Sequence, residues 1–125
     1  MFRRILLLTF CVAAGSAFAQ ASGSLTGKWH ANYPSPSGTP REAKVSIDGT
    51  SGTWQVTSFD KFDKCVGLKI PLTISKATPN AFTLSLSGSR ALKGCADSQW
   101  RLKRVDDKTF NVTFRDGRTL VMTRQ

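Results

Sequence analysis

The residues of this chain that could do chemistry are few and poorly spaced for it. His30 is the one histidine, and a general base must sit within hydrogen-bond reach of the proton it takes. It lies in Gly27-Lys28-Trp29-His30-Ala31-Asn32, where alternation puts it with Thr26, Lys28 and Asn32 on a polar face, so it reads as a surface histidine. Serines fall in turns and on polar faces, without the Gly-x-Ser-x-Gly elbow that exposes a nucleophile. Asp60 and Asp63 belong to the tandem Phe59-Asp60-Lys61-Phe62-Asp63-Lys64, and Lys61 and Lys64 are expected to neutralise them at the surface. Phe59 and Phe62 are expected to cap a rim of the fold, or alternatively to offer an exposed contact to a partner. Two late cysteines, Cys65 and Cys95, with one distant histidine do not make a zinc site, and no Cys-x-x-Cys supplies redox chemistry. No catalytic residue, metal or cofactor is expected, and the chain does not read as an enzyme.

The cysteines instead suggest a staple, and the first residues say where it would form. Arg3 and Arg4 make a positive start, Ile5 to Ala14 a short apolar run, and Ala17-Phe18-Ala19 a small-residue cleavage site, so residues 1–19 read as a bacterial secretory signal cleaved near Ala19. Cys11 as a lipidated residue fits poorly, because bulky Phe10 precedes it. Residues 20–125 are then read as a single domain, periplasmic or secreted. Cys65 and Cys95 are the two cysteines left in it, and an oxidising compartment favours their pairing. The loop so closed stabilises by roughly 3.5 to 4 kcal/mol in the chain-entropy picture, a large share for a small domain.

Charge is the other possible carrier of function. Without the signal, 16 Lys and Arg face 8 Asp and Glu, a net charge of +8. Arg101, Lys103 and Arg104 cluster, with Arg90 and Lys93 just before them and Lys108, Arg115, Arg118 and Arg124 after. Such a patch suits an anionic envelope component, whether lipopolysaccharide, anionic lipid or another acidic polymer; it also simply serves solubility. Stacking aromatics are missing from the same polar faces, so nucleic acid is not expected.

The elements that must position these groups are strands. After residue 24 the pattern alternates with period two and no helical period is visible. Leu25, Gly27, Trp29, Ala31 and Tyr33 share one face; then Ala43, Val45 and Ile47; Trp54, Val56 and Ser58; Val66, Leu68, Ile70, Leu72 and Ile74; Phe82, Leu84 and Leu86; Trp100 and Leu102; Phe110, Val112 and Phe114; Leu120 and Met122. Turn signals separate the eight runs: the loop Pro34 to Pro40, Asp48-Gly49, Thr78-Pro79-Asn80, Asp106-Asp107-Lys108 and Asp116-Gly117, the last expected as a two-residue hairpin. Pro71 lacks an N–H and implies an edge or a bulge in the fourth strand. The fold class is all-β: an eight-stranded antiparallel up-and-down meander barrel with one disulfide, or alternatively a β-sandwich. With a turn near Pro79, Cys95 returns beside Cys65 and clamps the open end of that hairpin.

Gly27-Lys28-Trp29 resembles the Gly-x-Trp opening of the calycins, small secreted barrels that include lipocalins, avidins and periplasmic metalloprotease inhibitors. Leu25-Thr26-Gly27-Lys28-Trp29 looks like an avidin first strand, Gly52-Thr53-Trp54 is similar to the avidin Gly-Thr-Tyr element, and Trp100 sits where an avidin-like ligand tryptophan would. The resemblance implies a barrel whose interior residues Trp29, Tyr33, Trp54 and Trp100 bind a small apolar ligand. Biotin is not the expected ligand, because Ala31 stands where the avidins place an inward Asn and Trp54 replaces the phenol. The inhibitor family implies a protein partner instead, with Gln20 to Ser24 as the segment inserted into a protease. In so short a chain the inward aromatics, Phe82, Phe110 and Phe114 included, could equally fill the interior. The expectation is a non-enzymatic binding protein, with protease inhibition and envelope or polyanion binding as alternatives.

Overall fold

The computed structural model describes residues 24–58 and 60–125. The expected signal sequence, Cys11, residues 20–23 and Phe59 lie outside the described residues. Eight strands follow one another: β1 (Gly27–Pro34), β2 (Pro40–Asp48), β3 (Ser51–Val56), β4 (Ile70–Thr78), β5 (Ala81–Ser87), β6 (Asp97–Asp106), β7 (Thr109–Thr113) and β8 (Thr119–Arg124), with a four-residue helix α1 (Gly88–Ala91) between β5 and β6. Each strand pairs antiparallel with the next, and β8 returns to β1 through Trp29 opposite Arg124 and Ala31 opposite Met122. The sheet is therefore a closed up-and-down barrel, and the sandwich alternative falls because a sandwich leaves edges.

Alternation fixes what faces in. Trp29, Ala31, Ala43, Val45, Ile47, Trp54, Leu72, Phe82, Leu84, Leu102, Leu120 and Met122 are buried, and they are the residues of the apolar phase in each run. Trp29 and Phe82 both meet the Phe110 ring edge-on, at centroid distances of 5.9 and 4.9 Å. The middle of the barrel is thus filled with side chains, as an eight-stranded barrel allows. At Gly52 the β2 backbone leaves no room for a side chain: a Cβ there would lie 1.9 Å from the Ser46 carbonyl oxygen.

One end, called lower, carries the start of β1, the β2–β3, β4–β5 and β6–β7 turns and the C-terminus. The other, called upper, carries the β1–β2 and β3–β4 loops, α1 and the β7–β8 turn. Short polar side chains shape several of these turns. Thr78 Oγ1 accepts from the N–H groups of Asn80 and Ala81, and Asp106 Oδ1 accepts from Lys108 N–H at 2.9 Å. In the β2–β3 turn Gly49 takes φ +64° at the first central position, the place a type II′ turn reserves for glycine.

Four expectations need correction. The β7–β8 connection is longer than a two-residue hairpin: Phe114 N–H donates to Arg118 O at 2.7 Å, enclosing Arg115, Asp116 and Gly117. Gly117, at φ +88°, closes it in the left-handed region that three-residue loops need. Pro71 makes no edge, since the barrel has none. Ile74 N–H points toward β3, to Thr50 O, so Pro71 presents its nitrogen toward β5, where pairing starts only at Leu72. The fourth strand begins at Ile70, leaving Val66 and Leu68 in the loop, and its irregularity falls between Ser75 and Thr78 instead. Lastly, Phe62 caps nothing: it is 88% exposed.

Cys65 and Cys95 are bonded, with Cα atoms 5.9 Å apart. The bridge joins the β3–β4 loop to the segment after α1, at the open end of the β4–β5 hairpin where the sequence placed it.

Candidate functional site

Two solvent-open cups remain at the barrel ends, and the four tryptophan and tyrosine positions singled out by sequence divide between them. Trp29 belongs to the lower end. Tyr33, Trp54 and Trp100 come together at the upper end, joined by Phe114. Their rings form a chain: Tyr33 to Trp54 at 6.0 Å, Trp54 to Trp100 at 5.7 Å and Trp100 to Phe114 at 5.6 Å. Trp54 is fully buried beneath the other three, which stay half-buried. Tyr33, Ser98, Trp100, Phe114, Arg115 and Arg118 line a cup of about 440 Å³ above them. A smaller hollow of about 240 Å³ adjoins on the far side of Tyr33, between Arg41 and the Cys65 loop.

Inward arginines shape this mouth, and sequence reasoning missed them as wall residues. Arg41 shares the phase of Ala43, Val45 and Ile47, and Arg118 that of Leu120 and Met122; alternation carried one step further would have found both. Arg41 donates to Asp60 Oδ2 at 2.8 Å and to Asp63 Oδ2 at 3.3 Å, with its side chain only 17% exposed. Asp60 and Asp63 are therefore both held by the single Arg41 guanidinium, which balances one of their two charges, and neither pairs with Lys61 or Lys64. Arg118 donates to Asp116 Oδ2 and to Pro34 O at 2.9 Å, and its guanidinium lies 5.1 Å from the Phe114 ring centre. The Arg118 side chain also holds the Asp116 carboxyl below the usual carboxylate range. Burial pushes the Tyr33 phenol above its ordinary value, against the opposing pull of Arg41 and a hydrogen bond with Trp54.

The lower cup is larger, about 640 Å³, yet it offers little aromatic surface. Trp29 is 1% and Phe110 7% exposed. Arg124 lies 4.3 Å over the Trp29 ring and donates to Ser24 O and Thr26 O, while the Trp29 indole N–H donates to Leu25 O at 2.8 Å. Arg104 also lines this cup and is held by Asp106 O and Asp107 Oδ1. Donors that face backbone carbonyls close a barrel end; they have little left for a ligand.

The basic residues do not gather in one place. Arg101 and Lys103 stand on the outer wall of β6, Arg101 donating to Lys76 O and Thr83 Oγ1. Arg104, one residue on, turns to the inward phase at the lower end. Arg90 and Lys93 lie at the upper end, on α1 and beyond it. Period-two alternation and the ten-residue length of β6 separate what is adjacent in sequence.

His30 sits on the outer face as expected, its Nε2 3.9 Å from Glu42 Oε2 and without a hydrogen-bond partner. Among the described residues no group of three His, Cys, Asp or Glu side chains could hold a metal ion. No family model, curated protein or solved structure matches this chain.

Proposed function

We propose that the chain is an exported, non-enzymatic binding protein that takes a small, flat, apolar ligand in the upper cup, against Tyr33, Trp100 and Phe114. The observation that supports it is that those three rings are only partly buried where they face an open cup. Burying the remaining aromatic surface is favourable at about 25 cal/mol per Å², and the cup volume falls within the roughly 300–1,000 Å³ of small-molecule sites. Arg115, which forms no ion pair among the described residues, favours a ligand with an acidic edge at the rim, while Arg118 there is already held by Asp116 and Pro34 O. Ala31 is buried and Trp54 can only donate, so a polar ligand head would find no matched acceptors at depth, which speaks against biotin.

The test uses 1-anilinonaphthalene-8-sulfonate, a flat apolar anion whose emission rises out of water. Binding to the native chain should weaken at least tenfold in Trp100→Ala and Phe114→Ala. Lys76→Ala, in the lower cup, should leave it unchanged. Dye binding lost in Lys76→Ala and kept in Trp100→Ala would overturn the assignment.

A further inference from the structure

A second feature of the upper end is independent of the cup. Phe62 is 88% exposed, on a turn held by the side chains of two aspartates. Asp60 Oδ1 accepts from Phe62 N–H at 3.0 Å and Asp63 Oδ1 from Cys65 N–H at 2.9 Å. The second oxygen of each carboxylate is gripped by Arg41, and the disulfide follows at once. Exposing a phenyl ring to water is unfavourable, yet two carboxylates, an arginine and a disulfide are all committed to the turn that presents it.

The two loops joined by the disulfide carry four cations that form no ion pair among the described residues. Lys61 Nζ stands 4.9 Å from the Phe62 ring centre. Lys64 packs beside Gly94 of the second loop, whose added Cβ would sit 3.2 Å from its Nζ. Arg90, Lys93 and the part-exposed Leu92 belong to that second loop or to α1. None of Lys61, Lys64, Arg90 or Lys93 forms an ion pair among the described residues. The nearby acids are held within the loops: Asp60 and Asp63 share the single charge of Arg41, and Asp97 accepts from the N–H and hydroxyl of Ser89, so the four cations leave these loops net positive.

We infer that the two loops joined by Cys65–Cys95 form a docking surface for an anionic lipid bilayer, with Phe62 entering the headgroup region and Lys61, Lys64, Arg90 and Lys93 meeting lipid phosphates. An aromatic ring flanked by lysines suits that boundary, because the ring leaves water while the ammonium groups stay at phosphate depth. A protein partner fits less well, since lysine is depleted at the core of protein interfaces. The cup opens at the same end, so a docked barrel would turn its mouth toward the lipid.

Co-sedimentation of the full chain with vesicles tests this, comparing equal parts phosphatidylglycerol and phosphatidylcholine with phosphatidylcholine alone. Binding should require the anionic lipid and fall steeply with salt. Phe62→Ala should weaken it about tenfold, and Lys61→Gln with Lys64→Gln about fivefold per charge. Arg101→Gln with Lys103→Gln, on the outer wall, should change it less than about twofold. Phe62 is solvent-exposed, so its variant should keep the native melting temperature and the dye binding of the cup. Absence of binding to the anionic vesicles at low salt would overturn the inference. So would equal weakening by the Arg101 and Lys103 pair, or indifference to Phe62.

Discussion

The two ends of this barrel are built from the same parts and arranged differently. Each has inward tryptophan and inward arginine: Trp29 with Arg124 below, Trp54 and Trp100 with Arg41 and Arg118 above. At the lower end the arginine lies on the ring and spends its donors on the backbone carbonyls of Ser24 and Thr26, which ties the chain's entry to its last strand and buries the indole. At the upper end Arg41 grips Asp60 and Asp63, and Arg118 grips Asp116 as well as Pro34 O, which holds the loops beside the mouth and leaves Tyr33, Trp100 and Phe114 partly open. Backbone closure leaves the lower ring covered; bracing of loops leaves the upper rings facing an open cup.

The sharpest way to break this comparison is to remove one tryptophan from each end. Trp29→Ala deletes a side chain that is 1% exposed, together with its edge contact to Phe110 and the platform under Arg124, and should cost about 3–5 kcal/mol in urea unfolding. Trp100→Ala removes a half-buried ring from an open cup, and should cost about 1–2 kcal/mol while abolishing dye binding. Equal losses at the two sites would mean that the upper end is core as well, and the cup would lose its claim.

Opening the disulfide comes next in size. Cys65 and Cys95 are 30 residues apart, so the paired change Cys65→Ser with Cys95→Ser should cost ~3.5 kcal/mol through the freed unfolded chain. Its local signature should be one-sided. Amide exchange should quicken around Lys61 to Gly67 and Leu92 to Ala96, while the turns at Gly49 and Asp107 keep their native protection. Matching acceleration at both ends would show that the loops brace the whole barrel rather than the mouth.

Barrel topology was legible in the sequence because period-two alternation is a direct print of inside and outside, and the disulfide because only one late pair exists. Legibility ended where alternation was stopped at the last apolar residue. Arg104, Arg118 and Arg124 continue the inward phase past Leu102, Leu120 and Met122, but their charge reads as a surface patch, and Arg41, which does the same past Ala43, draws no reading at all. The division of labour between Trp29 and Trp100 was hidden for another reason: both are inward, and only the three-dimensional stagger of the strands decides which end each occupies. The braced Phe62 was out of reach too, since nothing local says that Arg41, some twenty residues earlier, takes both aspartates.

The smallest effect is also the most local. Tyr33 is the one tyrosine in the chain, so phenolate absorbance reports the upper mouth alone. Burial raises its titration above the ordinary 10.0, Arg41 and the Trp54 hydrogen bond pull it down, and Asp63 adds to the rise. A phenol whose folded value is raised contributes stability that is complete below pH 10.0 and is lost as pH climbs from there through the folded value. The folded chain should therefore titrate above 10.0 and return to it in denaturant. Arg41→Ala should move the midpoint further up, by removing the charge that favours phenolate, and Asp63→Asn should move it down. Dye seated in the upper cup should raise it again, because it displaces water from the ring, whereas a ligand in the lower cup should leave it where it was. A midpoint that ignores bound dye would place that dye away from Tyr33, and with it the difference drawn between the two ends.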